Sequence, residues 1–254
     1  MAKQIAIGVD IGGTGIKGAV VNVRQGKFVG ERVRIPTPAD FTPAGVSKVV
    51  ARVVQQLDHD GPIGIGFPAV VREGVVATPP TALAHPGWVG VDFAAEVTKR
   101  LGADGRAVNI VNDADAAGLA EMAIGAGRGH QGTVVVLTLG TGIGSATFRH
   151  GVLIPNTEFG RLYLGKATTA EHEAADRIRK AEELSWKEWG ARLERLLQHL
   201  ELLIAPDLII LSGGVSKKHE KFLPHINTVT RVVPAQTLNH AGILGAAAAC
   251  FGAV

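Results

Sequence analysis

Residues 10–17 read Asp-Ile-Gly-Gly-Thr-Gly-Ile-Lys, and residues 137–144 read Leu-Thr-Leu-Gly-Thr-Gly-Ile-Gly. The shared Gly-Thr-Gly-Ile starts at Gly13 and again, half a chain later, at Gly140. An apolar run typical of a β-strand precedes each copy, and another short apolar stretch follows it. Because glycine has no Cβ, the backbone N–H groups of such turns can approach an anion closely. The repeat therefore predicts a duplicated α/β fold whose two hairpins hold phosphate from both sides of a cleft.

The spacing Gly13-x-Gly15-x-x-Gly18 also matches the dinucleotide-binding fingerprint, which is a weak signal on its own. That fold needs a helix to begin at the glycines, whereas the residues that follow here are strand-like. A Walker A loop is absent because Lys17 follows Ile16 and precedes Gly18. A plain glycine-rich turn is the remaining alternative, and two copies half a chain apart argue against it.

Asp10 comes three residues before the first turn, where its carboxylate would repel a bare phosphate group. A divalent cation between carboxylate and phosphate removes that repulsion, and Mg²⁺ prefers such oxygen ligands. We therefore expect Asp10 to hold Mg²⁺, through water.

The composition excludes several classes of protein. Hydrophobic residues make up 46% of the 254 residues, with 33 glycines, which suits a tightly turned α/β protein. The single cysteine, Cys250, excludes an internal disulfide framework and a cysteine-based zinc site, and fits a cytoplasmic setting. The chain enters a strand directly, so we expect no secretion signal, and its longest apolar stretch, residues 241–254, is too short to span a bilayer. A net charge of +3 does not argue for nucleic-acid binding.

The hydrophobic pattern predicts three sections. Residues 1–125 form an N-terminal lobe with a mixed sheet flanked by helices, and residues 126–240 form a C-terminal lobe that repeats the hairpin. Residues 241–254 form a terminal helix that packs back on the N-terminal lobe. Within the second lobe the pattern predicts one long polar helical region over residues 169–203 and a further helix over residues 215–223.

Five sequence blocks occur in a fixed order: residues 10–17, 112–113, 138–144, 158–160 and 212–215. This ordered set resembles the ROK sugar kinases and covers nearly the whole chain. The resemblance implies the two-lobed actin/hexokinase/Hsp70-like (ribonuclease H-like) duplicated α/β fold, with a cleft between the lobes.

Within that family, residues 156–160 and 208–218 are most similar to the polyphosphate glucokinases. This finer resemblance implies phosphoryl transfer from inorganic polyphosphate, ATP or both to the 6-hydroxyl of glucose, with mannose as a second acceptor. It also implies Mg²⁺ as cofactor and a homodimer. The family's cysteine-rich zinc segment is replaced here by residues 166–171, which implies no zinc, and Arg161 stands where most members have a histidine.

By this resemblance the general base is Asp113, at the end of a strand and the start of a helix. On spacing alone, Asp113 and Asp115 are equally plausible caps of that helix. The resemblance favours Asp113 as the base and assigns Asp115 to the first helical turn. Glu173 is the alternative to Glu171 as a second sugar carboxylate, and Arg161 could contact either the sugar or the donor. The sugar-binding set implied is Asn112, Asp113, Glu158, Glu171, Gly66, Pro68 and Arg161.

The donor set combines the hairpins, the turn after a later strand and nearby cations. Gly213 and Gly214 open a helix, so their N–H groups can face phosphate. We interpret the basic run Arg177, Arg179 and Lys180 as a solvated helix face, and Trp186 with Trp189 as a packing or dimer surface. The predicted donor residues are Gly13, Thr14, Lys17, Gly140, Thr141, Gly142, Gly213, Gly214, Lys217 and Lys218.

Two other functions remain possible at this level. An ATP-only hexokinase of the same family would share every motif above. A non-enzymatic sugar-sensing relative is the second alternative. Family repressors carry a DNA-binding helix-turn-helix ahead of the kinase-like part, whereas the first strand here begins by Gln4, so we expect an enzyme.

Overall fold

The computed structural model describes residues 4–81, 85, 87–102, 105–165 and 168–252. The chain forms two compact units, one reaching Ile124 and including the C-terminal segment from His240, the other spanning Gly125–Asn239. Residues 166 and 167 of the segment that replaces the zinc motif, and residues 253 and 254 of the terminal segment, lie outside the described part.

The first unit is built on a five-stranded sheet with the strand order β3-β2-β1-β4-β7. Strand β2 pairs antiparallel with both β1 and β3, whereas β4 and β7 run parallel to β1. The elements are β1 Ile5–Ile11, β2 Ile16–Asn22, β3 Lys27–Ile35, α1 Pro43–Leu57, β4 Ile63–Phe67, β5 Val71–Arg72, β6 Val75–Val76, α2 Phe93–Leu101, β7 Val108–Asn112 and α3 Asp113–Ile124.

Local sequence explains these elements. Thr42 accepts a hydrogen bond from the Gly45 N–H at 3.0 Å and so caps α1, whose first residue is Pro43. Strands β5 and β6 form a short antiparallel hairpin that turns at Glu73 and Gly74.

The second unit repeats the architecture. Its five strands have the order β10-β9-β8-β11-β12, with β8, β9 and β10 antiparallel and β11 and β12 parallel to β8. Its elements are β8 Thr133–Leu139, β9 Ile143–Arg149, β10 Val152–Ile154, α4 Ala170–Ala174, α5 Asp176–Ala181, α6 Trp186–Ile204, β11 Leu208–Ser212 and β12 Arg231–Pro234. The duplication expected from the hairpins thus extends to the whole sheet.

The helical region predicted over residues 169–203 is divided into three helices. Ala175 has extended backbone angles and separates α4 from α5. Ser185 then starts α6 with a capping box, in which its side chain and that of Glu188 each bond the other's backbone N–H. The helical periodicity of this region was predicted correctly, but Ser185 within it caps the start of a new helix.

The helix predicted over residues 215–223 is wrong in type. Residues Gly214–Lys221 form a 3₁₀ segment that is kinked at Lys218, and a short 3₁₀ turn follows at Leu223–His225. The Ser216 N–H and hydroxyl both donate to the Gly213 carbonyl, which favours the tighter turn.

The terminal helix α7, Ala241–Ala248, belongs to the first unit and packs on β1, β4 and α3. A methyl group on Gly8 or Gly64 would overlap the backbone of α7, and one on Gly245 would overlap the backbone of α3 at Ala116. Glycine at these positions lets the helix approach the sheet closely. None of the helices described combines the length and hydropathy that a bilayer span requires.

Candidate functional site

The first glycine-rich hairpin joins β1 to β2 through residues 12–15. The Gly12 N–H donates to the Gly15 carbonyl at 3.2 Å, and the Thr37 hydroxyl donates to the Gly12 carbonyl at 2.5 Å. The Arg34 guanidinium donates to the Thr14 carbonyl at 3.2 Å. These bonds hold the turn from the β3 side, while Gly13 and Thr14 are exposed to solvent. Sequence reasoning missed Arg34, which only the β2–β3 register identifies by placing it opposite Lys17.

Asp10 lies opposite Lys17 in the β1–β2 register, with 3.5 Å between Oδ2 and Nζ. Burial raises the pKa of the Asp10 carboxyl, and the Lys17 ammonium only partly offsets this. A nearby cation would compensate the buried negative charge. No group of three or more metal-binding side chains occurs among the residues described. A single carboxylate still fits Mg²⁺, which commonly binds one or two carboxylates plus substrate phosphates and keeps its waters.

Asn112, rather than either aspartate, supplies the side-chain cap of α3. Its carboxamide oxygen accepts from the backbone N–H groups of Ala114 at 2.8 Å and Asp115 at 3.2 Å. Its amide nitrogen donates to the Ala69 carbonyl at 3.1 Å. The second amide hydrogen of Asn112 is the part of the side chain left for a sugar hydroxyl.

The two aspartates of α3 differ in environment. Asp113, the first helical residue, is exposed, although one carboxylate oxygen accepts from the Ala114 N–H at 2.9 Å. Asp115 is only 1% exposed. A general base must reach a substrate proton, so the exposed Asp113 suits that role and Asp115 does not.

Gly66 and Pro68 lie at the end of β4, beside β7. A Cβ on Gly66 would come within 3.9 Å of the Asp113 Cα, so Gly66 borders the predicted base. The carbonyl of the buried Pro68 accepts from the Thr81 N–H at 2.9 Å. The parallel register aligns Asp10, Gly66 and Asp113 near the carboxyl ends of neighbouring strands, the usual position of ligand sites in such sheets.

The second hairpin, residues 140–142, joins β8 to β9 and has one residue fewer than the first. The Gly140 N–H donates to the Gly142 carbonyl at 3.0 Å. Gly213, with φ of 88°, packs against the backbone of Leu139 so tightly that a side chain would overlap it. The Gly213-Gly214 turn predicted to bind donor therefore lies at the base of this hairpin.

A cavity of about 390 Å³ adjoins the second hairpin. It brings together four predicted donor residues: Gly140, Thr141, Gly214 and Lys218. It is also lined by Arg177, Arg179 and Lys180, the basic run interpreted from the sequence as a solvated helix face, and of these Arg177 and Lys180 are exposed. The whole lining is Leu139, Gly140, Thr141, Asp176, Arg177, Arg179, Lys180, Trp186, Gly214, Val215 and Lys218.

The cavity therefore holds four cationic side chains and one carboxylate, Asp176. Burial alone would raise the pKa of Asp176, but hydrogen bonds from Lys180 and Arg179 outweigh burial and lower it. The two ion pairs measure 2.6 Å and 2.8 Å. This carboxylate keeps the two cations in place at the cavity.

The two tryptophans of α6 have different roles in the structure. Trp189 is fully buried and donates its indole N–H to the Ala174 carbonyl at 2.9 Å. Trp186 lines the cavity, and the Arg179 guanidinium carbon lies 4.0 Å from its ring centre. The packing interpretation holds for Trp189, whereas Trp186 also shapes the cationic cavity.

Glu158 precedes a sharp turn that depends on Gly160, because a methyl group there would overlap the Ile143 carbonyl. Arg161 lies 3.3 Å from the Glu158 carboxylate. Burial raises the pKa of Glu158, the Arg161 charge lowers it in part, and the nearby Glu171 charge raises it further. Arg161 is thus held at a predicted sugar carboxylate.

Glu171 and Glu173 are distinguished by their partners. One oxygen of Glu171 accepts from the Ile143 N–H at 3.3 Å, and the other lies 3.6 Å from the Arg177 guanidinium. Glu173 forms a 2.7 Å ion pair with Arg195 and accepts a hydrogen bond from Thr168. Glu171 therefore adjoins the second hairpin, whereas Glu173 ties α4 to α6.

Among the predicted residues, the second unit brings together Glu158, Glu171, Arg161 and the second hairpin. Lys217 is exposed and is not part of the cavity lining as described, unlike its neighbour Lys218. The cations of α5 were missed as donor candidates because the sequence does not show that this helix returns to Gly140.

Known proteins resemble this chain along most of its length. The model of the ROK family matches residues 6–164. A polyphosphate glucokinase from Mycobacterium tuberculosis is 44% identical over 247 residues, which is 97% of this chain and 91% of that protein.

Among solved structures, an inorganic polyphosphate/ATP-glucomannokinase from Arthrobacter sp. strain KM is 44% identical, with a TM-score of 0.87 over 97% of this chain and 99% of that one. A ROK family glucokinase from Streptomyces griseus, in complex with glucose and AMPPNP, has a TM-score of 0.78 at 24% identity, over 96% of this chain and 98% of that one. The expected duplicated α/β fold class of the sugar kinases is thereby confirmed.

Proposed function

The chain belongs to the ROK family, and we propose that it is a polyphosphate- and ATP-dependent glucokinase that phosphorylates the 6-hydroxyl of glucose. The observation that carries this proposal is the cavity beside the second hairpin, where four cations surround a glycine-rich turn. A chain of phosphates needs such a concentration of positive charge, because phosphoryl transfer depends mainly on positioning and charge neutralisation.

On the acceptor side, Asp113 takes the proton of the sugar hydroxyl as that oxygen attacks the terminal phosphorus. Its exposed position after β7 supports this role. Asn112, Glu158 and Glu171 orient the other sugar hydroxyls. Arg161 lies 3.3 Å from the Glu158 carboxylate, which supports the assignment of Arg161 to the sugar rather than to the donor.

On the donor side, we assign phosphate binding to the N–H groups of Gly13 and Thr14, with Lys17 as a cation beside the first hairpin, and to the N–H groups of the 140–142 turn. Arg177, Arg179, Lys180 and Lys218 bind the phosphates further along the chain. The leaving group is then the shortened polyphosphate, or ADP when ATP is the donor.

Asp10 would hold Mg²⁺, which when bound neutralises charge on the donor oxygens. The raised pKa of the buried carboxyl supports a cation at this position. Mannose as a second acceptor, a homodimeric state and a cytoplasmic location are further parts of the proposal. Similarity to the glucomannokinase supports mannose, and the single cysteine supports a reducing compartment.

A single assay tests the proposal. Glucose and mannose are each offered with ATP and with polyphosphate, and the sugar phosphate formed is measured. We expect glucose 6-phosphate with both donors. Activity with ATP alone would identify an ATP-only hexokinase, and sugar binding without product would identify a non-enzymatic sensor.

A further inference from the structure

We propose that Arg177 is a positioning residue shared by Glu171 and the donor phosphates, so that sugar and donor strengthen each other's binding. This inference rests on the proposed function. It concerns a residue that the sequence motifs do not single out.

The position of Arg177 is set by the second hairpin. Its backbone N–H donates to the Gly140 carbonyl at 3.2 Å, which attaches the first turn of α5 to the hairpin. Its side chain is 44% exposed and lines the cationic cavity, so a phosphate can reach it. The same guanidinium lies 3.6 Å from the Glu171 carboxylate. One cation therefore serves two anionic groups.

Glu171 is fixed against the hairpin from the other side. Its second oxygen accepts from the Ile143 N–H at 3.3 Å. A Cβ on Gly142 would lie only 2.6 Å from that oxygen, so glycine there leaves room for the carboxylate. The charge of Glu171 also acts on Glu158. Glu171 thus has an anionic neighbour and one cationic partner.

Competition for Arg177 links the two ligands. When sugar hydroxyls donate to Glu171, the ion pair between Glu171 and Arg177 weakens. The guanidinium then turns toward donor phosphate. When phosphate binds Arg177 first, the Glu171 oxygen becomes a stronger acceptor for the sugar. Thermodynamic linkage makes the two effects equal in size.

The other cations of α5 do not have this connection. Arg179 and Lys180 are paired with Asp176 at 2.8 Å and 2.6 Å. Lys180 thus adds a positive charge to the same cavity, but its ion-pair partner is Asp176 rather than Glu171. Lys180→Gln is therefore the matched control for Arg177→Gln, since each removes one positive charge from the cavity.

The experiment uses 6-deoxyglucose, which lacks the reacting hydroxyl and forms a stable complex with donor present. Its Kd is measured by calorimetry without polyphosphate and with saturating polyphosphate. For the unaltered protein we expect polyphosphate to tighten sugar binding by about five-fold or more. In Arg177→Gln the ratio of the sugar Kd without polyphosphate to the sugar Kd with polyphosphate should fall to one. Lys180→Gln should weaken polyphosphate binding and leave this ratio unchanged. Arg177→Lys should restore part of it.

An unchanged ratio in Arg177→Gln, or a ratio of one in the unaltered protein, would overturn the inference. Glucose 6-phosphate formation from polyphosphate is measured on the same preparation. If the unaltered protein forms none, the proposed function itself fails. If the unaltered protein forms glucose 6-phosphate normally but the Kd ratios differ from those expected, only the proposed coupling through Arg177 fails. Thermal unfolding of each variant separates a lost fold from lost coupling.

Discussion

The two glycine-rich hairpins have the same sequence core and the same place in their sheets, yet the charges around them differ. The first hairpin lies beside a partly buried carboxylate, Asp10, paired with Lys17, and Arg34 holds its turn. The second is one residue shorter and borders a cavity lined by four cations and Asp176. The repeated backbone supplies N–H groups in both units, and the side chains around it differ.

This difference suggests a division of labour. A carboxylate beside a turn can bind a phosphate only through a cation, which suits the reacting phosphate and its Mg²⁺. A cluster of arginines and lysines binds phosphates directly, which suits the length of a polyanion. The first hairpin would therefore serve the chemistry, and the second would serve donor selection.

The largest expected effect tests the chemical side. Asp113→Asn should lower turnover by about 10²–10⁴-fold, because the amide cannot accept the hydroxyl proton. Binding of glucose, measured by calorimetry, should change much less. Near-normal turnover would remove Asp113 from the role of base.

Asp10→Asn tests whether the first hairpin depends on metal. If Asp10 holds Mg²⁺ through water, this nearly isosteric change should weaken Mg²⁺ dependence or activity by about 10–100-fold. Activity is measured against Mg²⁺ concentration with both donors. An unchanged Mg²⁺ titration would contradict the assignment and make Asp10 a structural partner of Lys17.

Salt tests the cationic side. If four cations each release a counterion on binding polyphosphate, raising salt from about 50 to about 200 mM should weaken that binding roughly 50- to 150-fold. The KM for polyphosphate should rise more steeply than the KM for ATP. Lys218→Gln should reduce the slope for polyphosphate. Equal salt dependence for the two donors would contradict a polyphosphate-selective cavity.

Two glycines test which positions serve packing. Gly64→Ala forces a methyl group into the backbone of α7 and should destabilise the protein by about 1–3 kcal/mol. Gly214→Ala, where a Cβ meets nothing within 4 Å, should change stability by less than about 0.5 kcal/mol. Denaturant unfolding measures both. Equal losses of unfolding free energy in the two variants would show that the space around these glycines does not determine the cost of replacing them.

The smallest expected effect is on acid stability. The pKa of Asp176 is lowered from its ordinary 3.8 by Lys180 and Arg179 despite burial. The stabilisation from this carboxylate is present above its ordinary pKa and is lost as the pH falls through the lowered value. Asp176→Asn should therefore flatten the decline of unfolding free energy below about pH 4. A decline as steep as that of the unaltered protein would exclude Asp176 as a contributor.

Much of the fold could be predicted from local patterns. The strand pairs around each hairpin, the helix capped by Thr42 and the short β5–β6 hairpin depend on neighbouring residues. The break at Ser185 was missed because a capping box inside a polar helical pattern resembles ordinary surface sequence.

The site was less accessible to sequence reasoning, and its residue roles remain predictions. Asn112 was predicted as a sugar ligand, yet its carboxamide oxygen caps α3 and its amide nitrogen donates to the Ala69 carbonyl. The choice between Glu171 and Glu173 depended on Arg195, a residue of another helix. Such pairings join residues far apart in sequence, so no local pattern contains them.

By itself, then, the sequence determined the duplicated α/β fold and the family, because strand periodicity and glycine-rich turns are local properties. Only the tertiary structure decided which charges surround each turn. The basic run of α5 lines the cavity beside the second hairpin because the Arg177 N–H bonds to the Gly140 carbonyl and returns that helix to the hairpin. The role of a charged side chain depends on the groups that surround it, and packing between segments distant in sequence determines those groups.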